Sequence, residues 1–241
     1  MKHQTYLYLL NPVHEITVIL IGVGGTGSQV LNILARMHIA LKALGHPGFH
    51  VTAFDADEVS ESNIGRQSFW LGDLGDNKAV NLVSKINLAF GLNWDAKPIH
   101  FSKELDDSAN VFITCTDTIA SRKEVYEAFY NQKKPSHPFQ KHFYWLDFGN
   151  SSTHGQVVLA DIKNHLLSLF DLFPETTSMK ESNEPSCSMQ EALTKQDLLI
   201  NSTLANLGMH LFWQLFRNLE IDNQGVFLNL ADFTISKIPI K

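Results

Sequence analysis

Hydrophobic residues recur at two different spacings along the first half of the chain. Ile16–Gly22 is a continuous apolar run of the kind that forms a strand buried on both faces. Thr26–Leu44, which follows it, carries its apolar residues at helical spacing. Strands that alternate with helices form parallel sheets with crossover helices, so we expect an α/β fold with a doubly wound, mostly parallel sheet. The same alternation predicts further strands over His50–Asp55, Lys97–Phe101 and Val111–Thr116, and further helices over Asn77–Phe90 and Ile119–Gln132.

The pattern changes in the second half of the chain. Strands are predicted over Phe143–Phe148 and Gln156–Ile162. Phe173–Ser188 is polar, contains two prolines and has no periodicity, so we expect a mobile loop there. Asn201–Leu219 has the apolar stripe of a helix, and Val226–Ile240 is typical of two short strands. These last strands predict a C-terminal antiparallel extension of the sheet.

Composition and charge exclude some classes of function. A content of 44% hydrophobic and 18% charged residues is that of an ordinary soluble globular protein. The formal net charge of −6 argues against sequence-independent binding of nucleic acid, which requires a basic field. The longest early apolar run, Ile16–Val23, is too short to cross a bilayer, and residues 1–5 lack a signal-peptide core. We therefore expect neither nucleic acid nor a membrane as a partner.

The chain contains two cysteines, Cys115 and Cys187. Two isolated cysteines form neither a disulfide framework nor a four-cysteine zinc site. A reducing, cytoplasmic location is therefore expected. Cys115 falls within a buried strand pattern and is expected to be structural.

A glycine-rich turn separates the first predicted strand from the first predicted helix. Its glycines are Gly22, Gly24, Gly25 and Gly27. Glycine permits a tight turn and lets phosphates approach backbone amides beside the positive end of a helix, which indicates a Rossmann-like nucleotide site. A tight turn without any ligand is the alternative interpretation.

The residues after the second strand narrow the choice of ligand. Asp55 stands where a dinucleotide-binding fold carries the acid that binds the ribose, so an NAD-dependent oxidoreductase is one hypothesis. Arg66 and Lys78 follow, and such a protein has no use for two cations here. Nucleotidyl transfer does, because the α-phosphate and the leaving pyrophosphate gain charge that arginine, lysine and Mg²⁺ stabilise. The alternative is that both are solvated surface charges.

Asp117 follows the Val111–Thr116 strand. Ligands of open α/β sheets bind at the carboxyl ends of the strands, where a carboxylate can hold Mg²⁺ between phosphates. The alternative interpretation is that Asp117 caps the N-terminus of the following helix.

These motifs resemble the ThiF/MoeB/ubiquitin-activating enzyme family over roughly residues 15–160. The resemblance implies Mg-ATP-dependent adenylation of the C-terminal carboxylate of a ubiquitin-like or sulfur-carrier-like protein, with release of pyrophosphate. It also implies a homodimer. The motifs that carry it are the turn Gly22–Ser28, the segment Asp55–Gln67, Lys78 and the segment Cys115–Arg122.

The resemblance assigns roles to individual positions. Asp55 corresponds to the ribose-binding acid, and Asn63, Arg66 and Lys78 correspond to a phosphate-binding trio. Asp117 corresponds to the aspartate that binds Mg²⁺. The remaining nucleotide-binding candidates are Gly22, Gly24, Gly25, Gly27, Asp57 and Gln67.

A narrower resemblance, to the ThiF family protein of PRTRC systems, is carried by Trp145–Asn150 and Pro185–Asn206. At 241 residues the chain can bury one substantial core, so we expect a single ThiF-type adenylation domain over residues 1–241. We expect its nucleotide-binding half at about 15–135, and its crossover loop with the C-terminal helix and strands at about 163–241.

The chain departs from the family pattern in two respects. Many members bind zinc through two Cys-x-x-Cys pairs, which two cysteines cannot supply, so no zinc is expected. MoeB-like dimers also contribute an N-terminal arginine to the partner's ATP, whereas the first arginine here is Arg36, inside a predicted helix. Lys2 would be a weak substitute.

The predicted loop leaves the role of Cys187 open. Family members that pass the modifier onward use a loop cysteine as a thioester nucleophile, and a helix N-terminus stabilises a thiolate. A small buried residue in a turn is the alternative. Glu191, Gln196 and Asn201 either line a channel for a peptide tail or have capping and surface roles. No histidines have metal-site spacing, and surface positions are expected for most of His137, His142, His154 and His165.

The sequence therefore predicts an ATP-dependent adenylyltransferase that acts on a ubiquitin-like protein, with possible acyl transfer to Cys187. The two alternatives are an NAD-dependent oxidoreductase and a non-catalytic binding module with the ThiF fold.

Overall fold

A mixed eight-stranded sheet forms the centre of the structure, a computed structural model that describes residues 1–105, 108–132, 137, 140–178 and 189–241. The strands are β1 His3–Gln4, β2 Ile16–Ile21, β3 Phe49–Phe54, β4 Asp95–Lys97, β5 Val111–Thr114, β6 Tyr144–Asn150, β7 His154–Asp161, β8 Glu220–Ile221, β9 Asn223–Asn229 and β10 Thr234–Pro239. The helices are α1 Leu7–Leu10, α2 Gly25–Ala43, α3 Lys78–Phe90, α4 Ile119–Tyr130, α5 Leu169–Leu172, α6 Met189–Lys195 and α7 Ile200–Arg217.

The order of strands across the sheet is β10-β9-β7-β6-β5-β2-β3-β4. The five strands from β6 to β4 are parallel to one another, and β7, β9 and β10 are added in antiparallel pairs. This arrangement confirms the predicted fold class, a mostly parallel Rossmann-like sheet with a C-terminal antiparallel extension. A separate ribbon of β1 and β8, which the sequence pattern did not predict, joins the N-terminal segment to the end of α7.

The central strand β2 is buried on both faces, as its continuous apolar run predicts. Val18 and Leu20 belong to the larger core, together with apolar residues of α2, α3 and α7. Ile19 and Ile21 belong to a second core, together with residues of α4. Because successive side chains of a strand point to opposite faces, helices must cover both sides of the sheet.

One predicted strand and part of one predicted loop need correction. The predicted strand Lys97–Phe101 is wrong, because β4 ends at Lys97. Phe101 is nevertheless buried, and its ring packs edge-on against Phe54 from the loop that follows β4, which explains the apolar pattern. The first part of the predicted mobile loop, Pro174–Ser178, is a 3₁₀ helix. The rest of that loop, 179–188, lies outside the described residues.

None of the helices within the described ranges combines the length and apolar character that a membrane span requires.

Candidate functional site

Two glycines of the turn between β2 and α2 are needed for packing. Gly22 has a φ of +86°, and a Cβ placed there would lie 2.9 Å from the Cys115 carbonyl oxygen. A Cβ placed on Gly27 would lie 1.9 Å from the carbonyl oxygen of Gly22. Both contacts are with backbone atoms, which cannot move aside cheaply, so these glycines let the turn lie against the end of β5.

The two middle glycines of the turn have different surroundings. A Cβ on Gly25 would lie 2.6 Å from the carboxamide of Asn201, so this glycine makes room for a protein side chain. No described atom lies within 4 Å of a Cβ placed on Gly24. Gly24 is also the N-cap residue of α2 and provides no side-chain cap. The open space therefore lies where the first amides of a helix lack intrahelical partners and where an anion is favoured.

Asp55 connects the glycine turn to the segment that follows β3. Its Oδ2 accepts a hydrogen bond of 2.6 Å from the amide of Val23, and its Oδ1 accepts one of 2.9 Å from the amide of Asp57. Burial raises the pKa of the Asp55 carboxyl, and the nearby Lys78 cation opposes that rise. Asp55, the predicted ribose-binding acid, therefore stabilises the glycine turn.

Lys78 is the first residue of α3, and its side chain is 91% buried. Its Nζ donates to the Asp57 carboxylate at 2.9 Å, and its amide donates to the Asp57 carbonyl oxygen at 2.9 Å. Asn77 caps this helix by accepting from the amide of Val80 at 3.0 Å. The Lys78 ammonium is thus held beside the Asp55–Asp57 segment and is not a freely solvated charge.

Arg66 is partly buried, and a chain of carboxamides connects it to the glycine turn. Its Nη1 donates to the Gln196 side-chain oxygen at 2.8 Å, and the same oxygen accepts from the Asn201 amide at 2.9 Å. The Asn201 oxygen accepts from the Thr26 hydroxyl at 3.0 Å and from the Asn150 amide at 3.2 Å. Burial lowers the pKa of Arg66, which nonetheless stays charged. We call Gln196, Asn201 and Asn150 the carboxamide relay.

Asn63 lies three residues before Arg66, and Gln67 directly follows Arg66. Asn63 is buried, and its Oδ1 accepts from the amide of Ser60 at 2.9 Å, which caps a 3₁₀ turn. The amide of Gln67 donates to the Asn63 carbonyl oxygen at 3.0 Å. The Oε1 atom of Gln67 is buried and has no hydrogen-bond partner within the described part of the chain. Such an atom is a candidate contact for a bound molecule.

Asp117 is exposed and lies just beyond β5, at the carboxyl edge of the parallel strands. The next residue, Thr118, is the N-cap of α4, and its hydroxyl accepts from the amide of Ser121 at 3.2 Å. The preceding residue, Thr116, places its methyl group 3.3 Å from a Cβ placed on Gly22. Asp117 therefore directly follows a residue that borders the glycine turn.

A buried ion pair between Arg122 and Asp147, which the sequence did not reveal, lies near the carboxyl edge of the parallel strands. Arg122 donates to the Asp147 carboxylate and to the carbonyl oxygens of Thr116 and Phe148, at 2.8 and 2.6 Å. Burial raises the pKa of Asp147 to about 6, and Arg122 opposes that rise. The pair joins the segment that follows β5 to the middle of β6. Both residues occur in the quoted motifs, but nothing in their spacing indicated that they would meet.

The structure describes one of the two cysteines, Cys115. Cys115 immediately follows β5, and burial raises the pKa of its thiol well above the ordinary value. A protonated thiol packed against the core is a poor nucleophile, which agrees with the expected structural role. Cys187 lies outside the described residues.

The structure also places the scattered candidates. His142 is buried, with Nδ1 2.9 Å from the Phe129 carbonyl oxygen, and is the exception among the four histidines of which most were expected at the surface. His154 and His165 are exposed. Glu191 forms an ion pair of 2.8 Å with Lys195 on α6.

Comparison with solved structures finds the same fold in proteins of low sequence identity. E. coli MccB with ATP has a TM-score of 0.67 at 13% identity, over 96% of this chain and 64% of that chain. E. coli MccB with selenomethionine MccA has a TM-score of 0.67 at 13% identity, over 97% and 65%. Selenomethionine PaaA has a TM-score of 0.59 at 15% identity, over 93% and 64%. This chain thus spans less than two thirds of the length of these neighbours.

Sequence comparisons identify the family. A search of the curated proteins found no match. The model of the ThiF family matches residues 9–240, which is nearly the whole chain and includes the glycine turn, Arg66, Lys78 and Asp117. The protein therefore belongs to the ThiF family.

Proposed function

We propose that this protein uses ATP to adenylate a carboxylate. Family membership and the fold shared with MccB, which has been solved with ATP, support this function. The observation that carries the proposal is the surroundings of Gly24. An open space at the start of α2 is connected through the carboxamide relay to Arg66, and through Asp55 and Asp57 to Lys78.

The reaction transfers an adenylyl group between oxygen atoms. A carboxylate oxygen of the substrate attacks the α-phosphorus of ATP and forms a new phosphorus–oxygen bond. The bond between the α-phosphorus and the bridging oxygen breaks, and pyrophosphate leaves with the electron pair. The products are an acyl-adenylate and pyrophosphate. Negative charge grows on the leaving group, so fixed cations beside it lower the barrier.

Arg66 and Lys78 are the proposed sources of that positive charge. Arg66 is bound to a neutral carboxamide oxygen, and a phosphate is a stronger acceptor for a guanidinium than an amide is. We therefore propose that Arg66 exchanges Gln196 for phosphate when the nucleotide binds. Lys78 already pairs with a carboxylate, so its proposed role is to hold the Asp55–Asp57 segment while it contributes charge.

Asp117 is the proposed ligand of Mg²⁺. An exposed carboxylate at the carboxyl edge of the strands has the oxygen chemistry that Mg²⁺ prefers, and it directly follows a residue that borders the glycine turn. The bound ion would neutralise phosphate charge as a Lewis acid. Asn63 and Gln67 are proposed to contact the nucleotide, and Asp55 its ribose.

The proposed substrate is the C-terminal carboxylate of a small ubiquitin-like protein or a peptide. MccB, one of the structural neighbours, has been solved with MccA. Transfer of the acyl group to Cys187 would form a thioester and release AMP, and this second step is part of the proposal. We also propose that the chain acts as a single-domain homodimer in the cytoplasm, on the ground of the family resemblance for the dimer and of the cysteine content for the location.

ATP–pyrophosphate exchange tests the first step directly. Candidate small proteins and C-terminal peptides are incubated with the enzyme, ATP, Mg²⁺ and labelled pyrophosphate. We expect exchange that depends on a free C-terminal carboxylate and is lost in Asp117→Ala, while Glu104→Ala, which removes another exposed acid, exchanges normally. Normal exchange by Asp117→Ala would refute the assigned role. A Cys187→Ala variant should keep exchange and lose any thioester that hydroxylamine or a thiol can cleave.

A further inference from the structure

Three potential metal ligands meet at the edge of the sheet opposite to the glycine turn. They are His3 of β1, Asp161 at the end of β7 and His165 in the following loop, and their ligand atoms lie within 4.8 Å of one another. Asp161 pairs with Tyr144, the first residue of β6. The cluster therefore lies where the parallel strands begin, whereas the nucleotide-binding candidates lie where they end.

The Asp161 carboxylate is fully buried and is held in place by neutral donors. Its Oδ1 accepts from the amide of Leu166 at 2.9 Å, and its Oδ2 accepts from the Tyr6 hydroxyl. Among the residues that the structure describes, its only ion-pair partner is His165, whose Nδ1 lies 3.8 Å from Oδ2. The nearby Lys163 ammonium lies over the ring of Tyr6, 5.3 Å from its centroid. A buried carboxylate without a lysine or arginine partner favours the binding of a cation.

The histidines complete a mixed nitrogen and oxygen ligand set. His3 is buried, and its Nε2 lies 2.7 Å from the Tyr144 hydroxyl, which fixes the plane of the ring. His165 is exposed, and its ring centroid lies 6.5 Å from that of His3. Hydrogen bonds that orient ligand side chains in this way are typical of metal sites.

We propose that His3, Asp161 and His165 bind one divalent transition-metal ion, for which zinc is the best match. Two imidazoles and one carboxylate are a ligand set that zinc accepts, with a fourth position left for water on the exposed His165 side. Zinc–ligand bonds of about 2.0–2.2 Å require ligand atoms about 3.3 Å apart in a tetrahedral site. The ligand atoms must therefore move closer when the ion binds: the exposed side chain of His165 by a rotamer change, and His3, on the short β1 strand, by a small shift toward Asp161.

This site differs from the two metal sites considered from the sequence. It uses neither cysteine nor Asp117, and it is independent of the proposed adenylation. Metal binding would connect two distant parts of the chain, because His3 belongs to the N-terminal segment and the other two ligands belong to the end of β7 and its loop. A bound ion would tie that segment to the sheet and stabilise the folded protein.

Zinc titration of the tag-free protein, first stripped with a chelator, tests the proposal. We expect one zinc ion per chain by isothermal titration calorimetry. His165→Ala should weaken binding at least tenfold without disturbing the fold, since its side chain is 65% exposed. His100→Ala, which removes an exposed histidine outside the cluster, should bind like the wild type. Saturating zinc should raise the Tm of the wild type and of His100→Ala by at least ~3 °C, and that of His165→Ala by less, because weaker binding stabilises the folded state less.

Asp161→Asn provides a second variant. An asparagine has nearly the same shape, and its side-chain oxygen can still accept from the Leu166 amide, but its neutral carboxamide is a poor zinc ligand. We expect a native circular dichroism spectrum and at least a tenfold loss of zinc affinity. Binding of less than half an ion per wild-type chain would overturn the proposal. Equal affinity of His165→Ala and His100→Ala would overturn it as well, because it would assign the zinc to scattered surface histidines.

Discussion

Arg122 and Arg66 both lie near the carboxyl edge of the parallel strands, but they are held in different ways. Arg122 is 5% exposed and donates to a buried carboxylate and two carbonyl oxygens. Arg66 is partly exposed and donates to the neutral Gln196 carboxamide at 2.8 Å, with a longer contact of 3.4 Å to the Ser62 carbonyl oxygen. A buried charge pair is costly to break, whereas a hydrogen bond to a neutral partner is easily exchanged. Arg122 therefore belongs to the framework, and Arg66 is available for a ligand.

Lys78 shows that burial alone does not separate the two classes. Its side chain is 9% exposed, yet its partner, the Asp57 carboxylate, is 63% exposed. A phosphate that approaches from solvent can therefore reach Lys78 without breaking a pair that is buried on both sides. The accessibility of the partner distinguishes a cation that can bind a ligand from one that only supports the fold.

The largest predicted effect concerns the framework arginine. Arg122→Leu would leave the Asp147 carboxylate buried without its counter-charge, so we expect the free energy of unfolding to fall by about 3–5 kcal/mol at pH 7. Chemical denaturation measures this loss. Lys123→Leu, a neighbouring position with a surface cation, should change stability by less than about 0.5 kcal/mol. Similar losses in both variants would show that the buried pair has no special importance.

The opposite result is expected for the exchangeable arginine. Arg66→Ala should lower the rate of ATP–pyrophosphate exchange by about 10²–10³-fold, the usual effect of removing one group that stabilises transition-state charge. Its unfolding free energy should fall by no more than about 1 kcal/mol, because both lost contacts have neutral acceptors and the one to the Ser62 carbonyl oxygen is long, at 3.4 Å. Exchange assays and denaturation on the same preparation check both parts. A variant that loses stability and activity together would place Arg66 in the framework.

A pH titration of stability sharpens the comparison. The pKa of Asp147 is raised to about 6 in the folded protein from the ordinary value of 3.8. The protonated carboxyl is thus favoured by folding, so this contribution is fully present below pH 3.8 and is lost as pH rises through about 6. The loss amounts to about 3 kcal/mol, at 1.36 kcal/mol per pKa unit. We expect Asp147→Asn to remove this part of the pH dependence between pH 4 and pH 7, and an unchanged profile would contradict the assignment.

The smallest predicted effect tests the partner of Arg66. Gln196→Glu replaces a neutral acceptor with a carboxylate that competes with phosphate for the guanidinium, so we expect the KM for ATP to rise by roughly tenfold with little change in kcat. Gln196→Ala should change it by less than about fivefold, the value of one ordinary hydrogen bond. Gln214→Glu, at a partly exposed position on α7, is the matched control. Equal KM values for ATP in Gln196→Glu and Gln214→Glu would show that Arg66 does not exchange Gln196 for phosphate.

The local elements of the fold were predictable because their causes are local. The apolar run of β2, the glycine turn and the helical spacing of α2 are consecutive in sequence, and each indicates its own structure. The candidates from Asp55 to Lys78 also belong to one short segment, so their closeness in sequence made their closeness in the structure predictable. The predicted strand Lys97–Phe101 was wrong because Phe101 is buried by a loop, and an apolar pattern does not distinguish a buried loop from a strand.

The sequence by itself determined the parallel sheet, the glycine turn and the set of charged residues that follows β3, since periodicity and backbone freedom are properties of neighbouring residues. Tertiary structure alone decided which side chains meet. The hydrogen bond between Thr26 and Asn201 spans 175 residues, and the pairing of β6 with β7 brings Asp161 beside Tyr144, the hydrogen-bond partner of His3. Such contacts form when α7 packs against the sheet and when the antiparallel strands pair within it. No local sequence pattern predicts them.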